Sequence, residues 1–262
     1  MDLGLKGRAA AVAAASKGLG RASAEALARE GCDVAICARG AEALAATADE
    51  LRAHGVRVHA VAADLNAPDA CERFVAEAAD AFGRLDILVA NNGGPPPGPV
   101  ATFDDAAFRA AFEANLMVTV RLVRATLPHM RAGGWGRVIA ITSAAAKEPI
   151  AGLGLSNTMR AGLAGFLKTL AGEVAADGVT VNTVAPGPFL TDRLTSIGEQ
   201  RARDEGISLE QALAPMTQGI PVGRIGDPAE LGALVAFLAS ERAAYVNGTT
   251  IQIDGGKVAS LL

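Results

Sequence analysis

Residues 9–20 read Ala9-Ala10-Ala11-Val12-Ala13-Ala14-Ala15-Ser16-Lys17-Gly18-Leu19-Gly20, and an amphipathic stretch follows at once. The opening run is too short and too evenly apolar for an amphipathic helix, and it ends at turn residues, which is the pattern of a buried strand. Glycines between a strand and a helix let the backbone come close to a pyrophosphate, and the helix N-terminus attracts it. Ala14 stands where such a turn places its first glycine, so the turn has to accommodate a methyl group.

The same alternation extends outward along the chain. Apolar runs at 9–14, 34–38, 56–62, 85–90, 137–142, 179–184 and 249–253 read as strands. Segments 19–30, 41–54, 68–82, 104–130, 150–176 and 228–239 carry apolar residues three and four apart and read as helices, with start signals at Asn66-Ala67-Pro68 and Asp227-Pro228. Strand followed by helix, repeated in this way, requires a parallel sheet covered on both faces. The expected fold is therefore α/β: a single-domain Rossmann fold over residues 1–262, with a doubly wound, seven-stranded parallel sheet that binds ligands at its carboxyl ends. Two stretches break the rhythm. Residues 93–99 (Gly-Gly-Pro-Pro-Pro-Gly-Pro) follow a strand end, and 186–219 form a long insertion that reads as a substrate-covering lid, with a surface excursion as the alternative.

Composition narrows the partners. The 262 residues are 50% hydrophobic and carry 24 basic against 28 acidic side chains, a net charge of -4 that argues against nucleic acid. Cys32, Cys37 and Cys71 form no CxxC pair and His54, His59 and His129 cluster with nothing, so neither metal spacing nor a disulfide framework is present, and a reducing cytoplasm is expected. The basic-flanked, alanine-rich run at 6–16 flows into a charged glycine turn, which makes it a first strand and not a secretory signal. No apolar stretch approaches the roughly 18 residues that span a bilayer.

Seven ordered landmarks resemble the short-chain dehydrogenase/reductase family over nearly the whole chain. They are Gly18-Leu19-Gly20, Asp64-Leu65, Asn91-Asn92-Gly93, Asn115, Ser143, Pro186-Gly187 with Thr191, and Asp254-Gly255-Gly256. The resemblance implies that Ser16, Lys17, Gly18, Leu19 and Gly20 form the phosphate turn and that Asp64 and Leu65 contact adenine. It also implies that Asn91 and Gly93 line the ribose side, and that Pro186, Gly187 and Thr191 hold the nicotinamide end. Asp64 as a helix cap and Asn91 as a turn residue are the alternatives. Arg39 ends the second strand where an acid would favour NAD, and Lys17 adds a second charge, so NADP(H) is expected in preference to NAD(H). Solvated surface charges are the other reading of both.

In the family a serine is followed thirteen residues later by tyrosine and four further on by lysine; counting from Ser143 gives Ser156 and Arg160. The single tyrosine, Tyr245, lies far away in sequence. Serine is a weak acid and arginine stays protonated, so the pair suits hydrogen bonding and ribose holding better than proton transfer. Asn115, Ser143, Ser156 and Arg160 are the expected catalytic residues of an NADP-dependent reductase acting on a carbonyl or a conjugated carbonyl (enone) small molecule. Around Lys147-Glu148-Pro149 and Ser156-Asn157 the chain is similar to a branch without the tyrosine, akin to the 3-oxoacyl-carrier-protein reductases, in which hydride is added to a conjugated acceptor. Lys147 reads as a solvated charge or a contact for an anionic substrate group. The competing class is a catalytically silent NADP-binding sensor or assembly protein. The family also implies a homo-oligomer, tetramer or dimer, with helices 104–130 and 150–176 across one axis and the tail 251–262 across another.

Overall fold

The computed structural model describes residues 1–260, apart from the Arg193 side chain. Its seven strands are β1 (Ala9–Ala13), β2 (Asp33–Ala38), β3 (Val58–Ala62), β4 (Ile87–Ala90), β5 (Gly136–Ile141), β6 (Val179–Pro186) and β7 (Thr250–Ile253). They form one sheet in the order 3-2-1-4-5-6-7, with every neighbouring pair parallel. The order turns back between β1 and β4, which opens a crevice at the carboxyl ends of these two strands.

Each strand of the sheet centre is buried on both faces, which explains why β1 and β4 show runs rather than alternation. On one face pack α3 (Ala70–Phe82), α5 (Val118–Gly133) and α6 (Gly154–Glu173), through Phe74, Leu122, Met130 and Leu163. On the other pack α1 (Gly18–Arg29), α2 (Ala41–Arg52) and α9 (Pro228–Ala239), through Leu27, Leu44, Leu231 and Val235. At the amino edge of β4 the buried Asp86 accepts from Ala9 N–H at 2.9 Å and from Arg84 Nε and Nη2, both at 2.7 Å. Arg8 Nη1 approaches it at 3.5 Å.

Three expectations change. The helix read over 104–130 is α4 (Asp105–Phe112) and α5, joined by a π turn at Glu113–Met117 that carries Asn115. The start read at 150 moves to Gly154, because Gly152 takes φ +74 and the Asn157 amide is bonded to both Ile150 backbone groups. The start read at Pro68 moves to Ala70, since Asn66 folds back onto Asp64 in a turn of its own. Within 186–219 the chain forms two helices, α7 (Asp192–Glu205) and α8 (Leu209–Thr217), the latter opened by a Ser208–Gln211 capping box. The ends of this excursion meet: Leu190 N–H donates to Gly226 at 2.8 Å and Gly226 N–H to Pro188 at 3.0 Å. The proline-rich loop is likewise pinned, with Gly154 N–H donating to Gly98 at 3.2 Å in a short parallel bridge ahead of α6. No helix among the described residues is long and apolar enough to cross a membrane. Leu261 and Leu262, the end of the tail read as an interface, lie outside the described residues.

Candidate active site

The turn after β1 is built for close approach. Ala14 takes φ +50, a left-handed backbone that a Cβ disfavours, and Gly18 takes φ +56. A Cβ on Gly20 would overlap the Ala14 carbonyl oxygen, so only glycine lets α1 begin there. Neither a side-chain cap nor an acidic residue occupies the first turn of α1, which leaves its N–H groups and the positive end of its dipole facing outward. Asn91 Nδ2 donates to Ala14 O at 3.4 Å, tying the end of β4 to this turn. Leu19 and Gly20 lie in the first turn of the helix.

A cleft of about 730 Å³ runs from this turn across the carboxyl ends of β2, β3 and β4. It brings together Ser16, Lys17, Arg39, Asp64, Leu65, Asn91, Gly93 and Asn115. Gly18 and Thr191 meet beside it instead: Thr191 Cγ2 lies 3.4 Å from where a Cβ on Gly18 would stand, and both face an adjoining hollow of about 430 Å³. Pro186 closes β6, and Gly187 N–H donates to Ile253 O at 3.0 Å. Asp64 accepts from the backbone N–H and side-chain amide of Asn66, which hold its carboxyl below the ordinary value, and Arg39 adds attraction. It thus serves its own turn and does not cap α3, whose N-cap is Asp69. Asp64 also puts an acid near Arg39 that the strand-end reading did not foresee, although the two form no ion pair among the described residues.

These features fit a dinucleotide: an uncapped helix start behind a glycine turn for the pyrophosphate, and exposed Arg39 and Lys17 at one end of the cleft. An Arg39→Ala variant is therefore expected to weaken NADPH about tenfold while changing NADH less than about threefold. Fluorescence titration with the two nucleotides checks this.

The second half of the site stands on β5 and α6. Ser143 lies two residues past the end of β5 and its Oγ accepts from Ala145 N–H at 3.1 Å, so its own proton is free to be donated. Ser156 and Arg160 follow each other by one turn of α6 and are both buried. Thr158 and Thr169 of the same helix spend their hydroxyls on the carbonyl four residues back. Ser156 does not: the residue four before it precedes the helix, and its hydroxyl has no partner among the described residues. Arg160 Nη2 donates to Asn92 Oδ1 at 2.9 Å, and Asn92 Nδ2 donates to Ala114 O at 2.7 Å in the π turn. Burial pushes the Arg160 guanidinium down to about 10, which leaves it charged at neutral pH. Two buried atoms here, Arg160 Nε and Asn115 Oδ1, have no partner among the described residues. Asn92, which joins the two halves, escaped sequence reasoning; the Asn91-Asn92 doublet was the only signal. Tyr245 is fully exposed on the turn before β7 and lines a hollow with Trp135 and Arg137, away from this cleft.

A doubly wound parallel sheet with a glycine turn at its switch point and a serine at the end of β5 defines an oxidoreductase of the dinucleotide-binding kind. The chain belongs to the short-chain dehydrogenase/reductase family, and a family model described as enoyl-(acyl carrier protein) reductase matches residues 13–257. It is similar to the 3-oxoacyl-[acyl-carrier-protein] reductase FabG of Vibrio cholerae, 36% identical over 254 residues, which are 97% of this chain and 98% of that one. Among solved structures, L-sorbose reductase from Gluconobacter frateurii, complexed with NADPH and L-sorbose, aligns over 100% of both chains with a TM-score of 0.96 and 34% identity. YwfH, an NADPH-dependent reductase involved in bacilysin biosynthesis, aligns over 97% of this chain and 99% of that chain with a TM-score of 0.90 and 28% identity.

Proposed function

We propose that this protein is an NADPH-dependent reductase of small carbonyl or conjugated carbonyl compounds, with Ser143 and Ser156 as the donors to the substrate oxygen. The observation that carries the reading is the hydroxyl of the largely buried Ser156, which sits on α6 without a partner among the described residues, one turn from a buried, charged Arg160.

NADPH, when bound, supplies the hydride. The N-terminus of α1 would hold the pyrophosphate, Arg39 and Lys17 the 2′-phosphate, and Arg160 the nicotinamide ribose. Ser143 and Ser156 then donate hydrogen bonds to an oxygen on which negative charge develops. A serine cannot deliver a proton as an acid near neutral pH, so the final proton comes from solvent. This division of labour suits an enolate, whose charge is delocalised, better than a localised alkoxide. The NADPH held by L-sorbose reductase and the NADPH dependence of YwfH support the cofactor preference. Under the same reading α7 and α8 form the lid, and the chain works in the cytoplasm as a dimer or tetramer.

The test is a panel of ketones and enones followed by loss of NADPH absorbance, with NADH as the comparison. Turnover of enones over ketones is expected. Tight NADPH binding with no turnover across the panel would instead make the protein a silent NADP-binding sensor or assembly partner.

A further inference from the structure

Arg160 is a buried cation with no anion beside it. It is 4% exposed, its Nη2 reaches only Asn92, its Nε has no partner among the described residues, and no carboxylate perturbs it. Charged side chains are rarely buried unless paired, because desolvation is costly. At the other end of the sheet the buried Arg137 is satisfied by backbone carbonyls, of Gly136 at 2.8 Å and Ser240 at 3.3 Å, and by the face of the Trp135 ring. At Arg160 the acceptor is an amide, and that amide is fixed at both ends: its oxygen faces the guanidinium and its nitrogen donates to the Ala114 carbonyl. Neither group can turn over without losing a bond. Asparagine at this position therefore orients the cation without cancelling it.

We infer that Asn92 is a positioning residue that holds Arg160 through a neutral acceptor, leaving the guanidinium charge to stabilise the oxyanion formed when hydride adds to the substrate. This rests on the reductase reading of the site. In that step the hydride pair becomes the new C–H bond, the π pair of the acceptor moves onto the carbonyl oxygen, and the dihydronicotinamide that gave the hydride is oxidised. Solvent then returns the proton. A carboxylate at position 92 would hold the same geometry but form a closed ion pair, and the field at the oxygen would fall.

Asn92→Asp tests this, being close to isosteric. In the full-length protein saturated with NADP+, the binding of 4-nitrophenolate as a stable oxyanion probe is compared with that of neutral nitrobenzene by absorbance, alongside single-turnover enone reduction. The native protein is expected to prefer the phenolate about tenfold, and N92D to lose that preference and about 100-fold in rate, with its Kd for NADPH changed less than about threefold. Asn92→Ser keeps a neutral oxygen and is expected to retain the preference, which separates charge from folding. An N92D protein that keeps both the preference and the rate would show that position 92 only orients the arginine, and the inference would fall. It would fall equally if the native protein showed no preference, or if N92S lost it. Loss of preference in N92D together with a native protein that reduces no carbonyl would sustain the neutral-acceptor role of Asn92 toward a bound anion and remove the reductase reading together with the catalytic use of that charge.

Discussion

Ser156→Ala and Ser143→Ala are each expected to lower kcat/KM by about 10²- to 10³-fold and to leave the Kd for NADPH almost unchanged, because in the proposed function each removes a donor to charge that exists only in the transition state. The two should not add: once one hydrogen bond is gone the oxygen shifts toward the other donor, so the double variant falls short of the product of the two losses. Ser156 has no internal bond to lose, so its variant should keep the native unfolding midpoint. Ser143 gives up one bond from the Ala145 N–H, at a small stability cost. The pH profile is part of the same expectation. No histidine stands in the described cleft lining and serine does not titrate, so kcat should be flat from roughly pH 6 to 9. It should fall as the Arg160 guanidinium discharges above its depressed value of about 10. Steady-state kinetics carried up to about pH 10.5, with nucleotide titration and urea unfolding of each variant, checks these statements; an unchanged kcat/KM in Ser156→Ala would remove Ser156 from the mechanism.

Asp86→Ala is expected to cost about 3 kcal/mol of stability, measured by urea unfolding of the NADPH-free protein. The carboxylate is 6% exposed and accepts from the buried Ala9 N–H at the start of β1 at 2.9 Å, besides holding Arg84 at 2.7 Å and Arg8 at 3.5 Å. Arg84 is half exposed and regains water when its partner goes, which keeps the loss below that of a wholly buried pair. The Ala9 N–H has no such recourse. Asp86→Asn keeps an acceptor for it and should cost about half as much. Activity per folded molecule should be native in both, since Asp86 sits at the opposite edge of the sheet from the cleft.

The contrast between what was and was not legible follows from the same physics. Buried parallel strands must be apolar throughout, so the run at 9–13 and its partners could be read directly, and the glycine turn followed because only glycine tolerates the approach of α1 to Ala14. Ser143, Ser156 and Arg160 were placed by counting, and the fold does set Ser156 and Arg160 one helical turn apart. Residues 192–205 concealed their helix because α7 buries little; its many charges hold it through pairs such as Arg201–Glu205 rather than through an apolar stripe. The π turn at Glu113–Met117 was invisible because one extra residue per turn barely disturbs the apolar spacing. Asn92 was missed for a third reason: its partners, Arg160 and Ala114, lie 68 and 22 residues away, and no local pattern carries such contacts.

The paired bonds between 188–190 and Gly226 make the stretch bearing α7 and α8 a closed handle, entering and leaving the body of the protein through a single doorway. Its length adds little to the cost of closing it, since both feet are already side by side. Its feet must stay, since Thr191 lies against Gly18 and Val222 N–H donates to Gly255 at 3.2 Å, but the part bearing α7 and α8 can be lengthened, shortened or exchanged for a relative's while the sheet stays as it is. Under the lid role proposed for α7 and α8, new specificity in this scaffold would come from recombining one cassette rather than rebuilding a core.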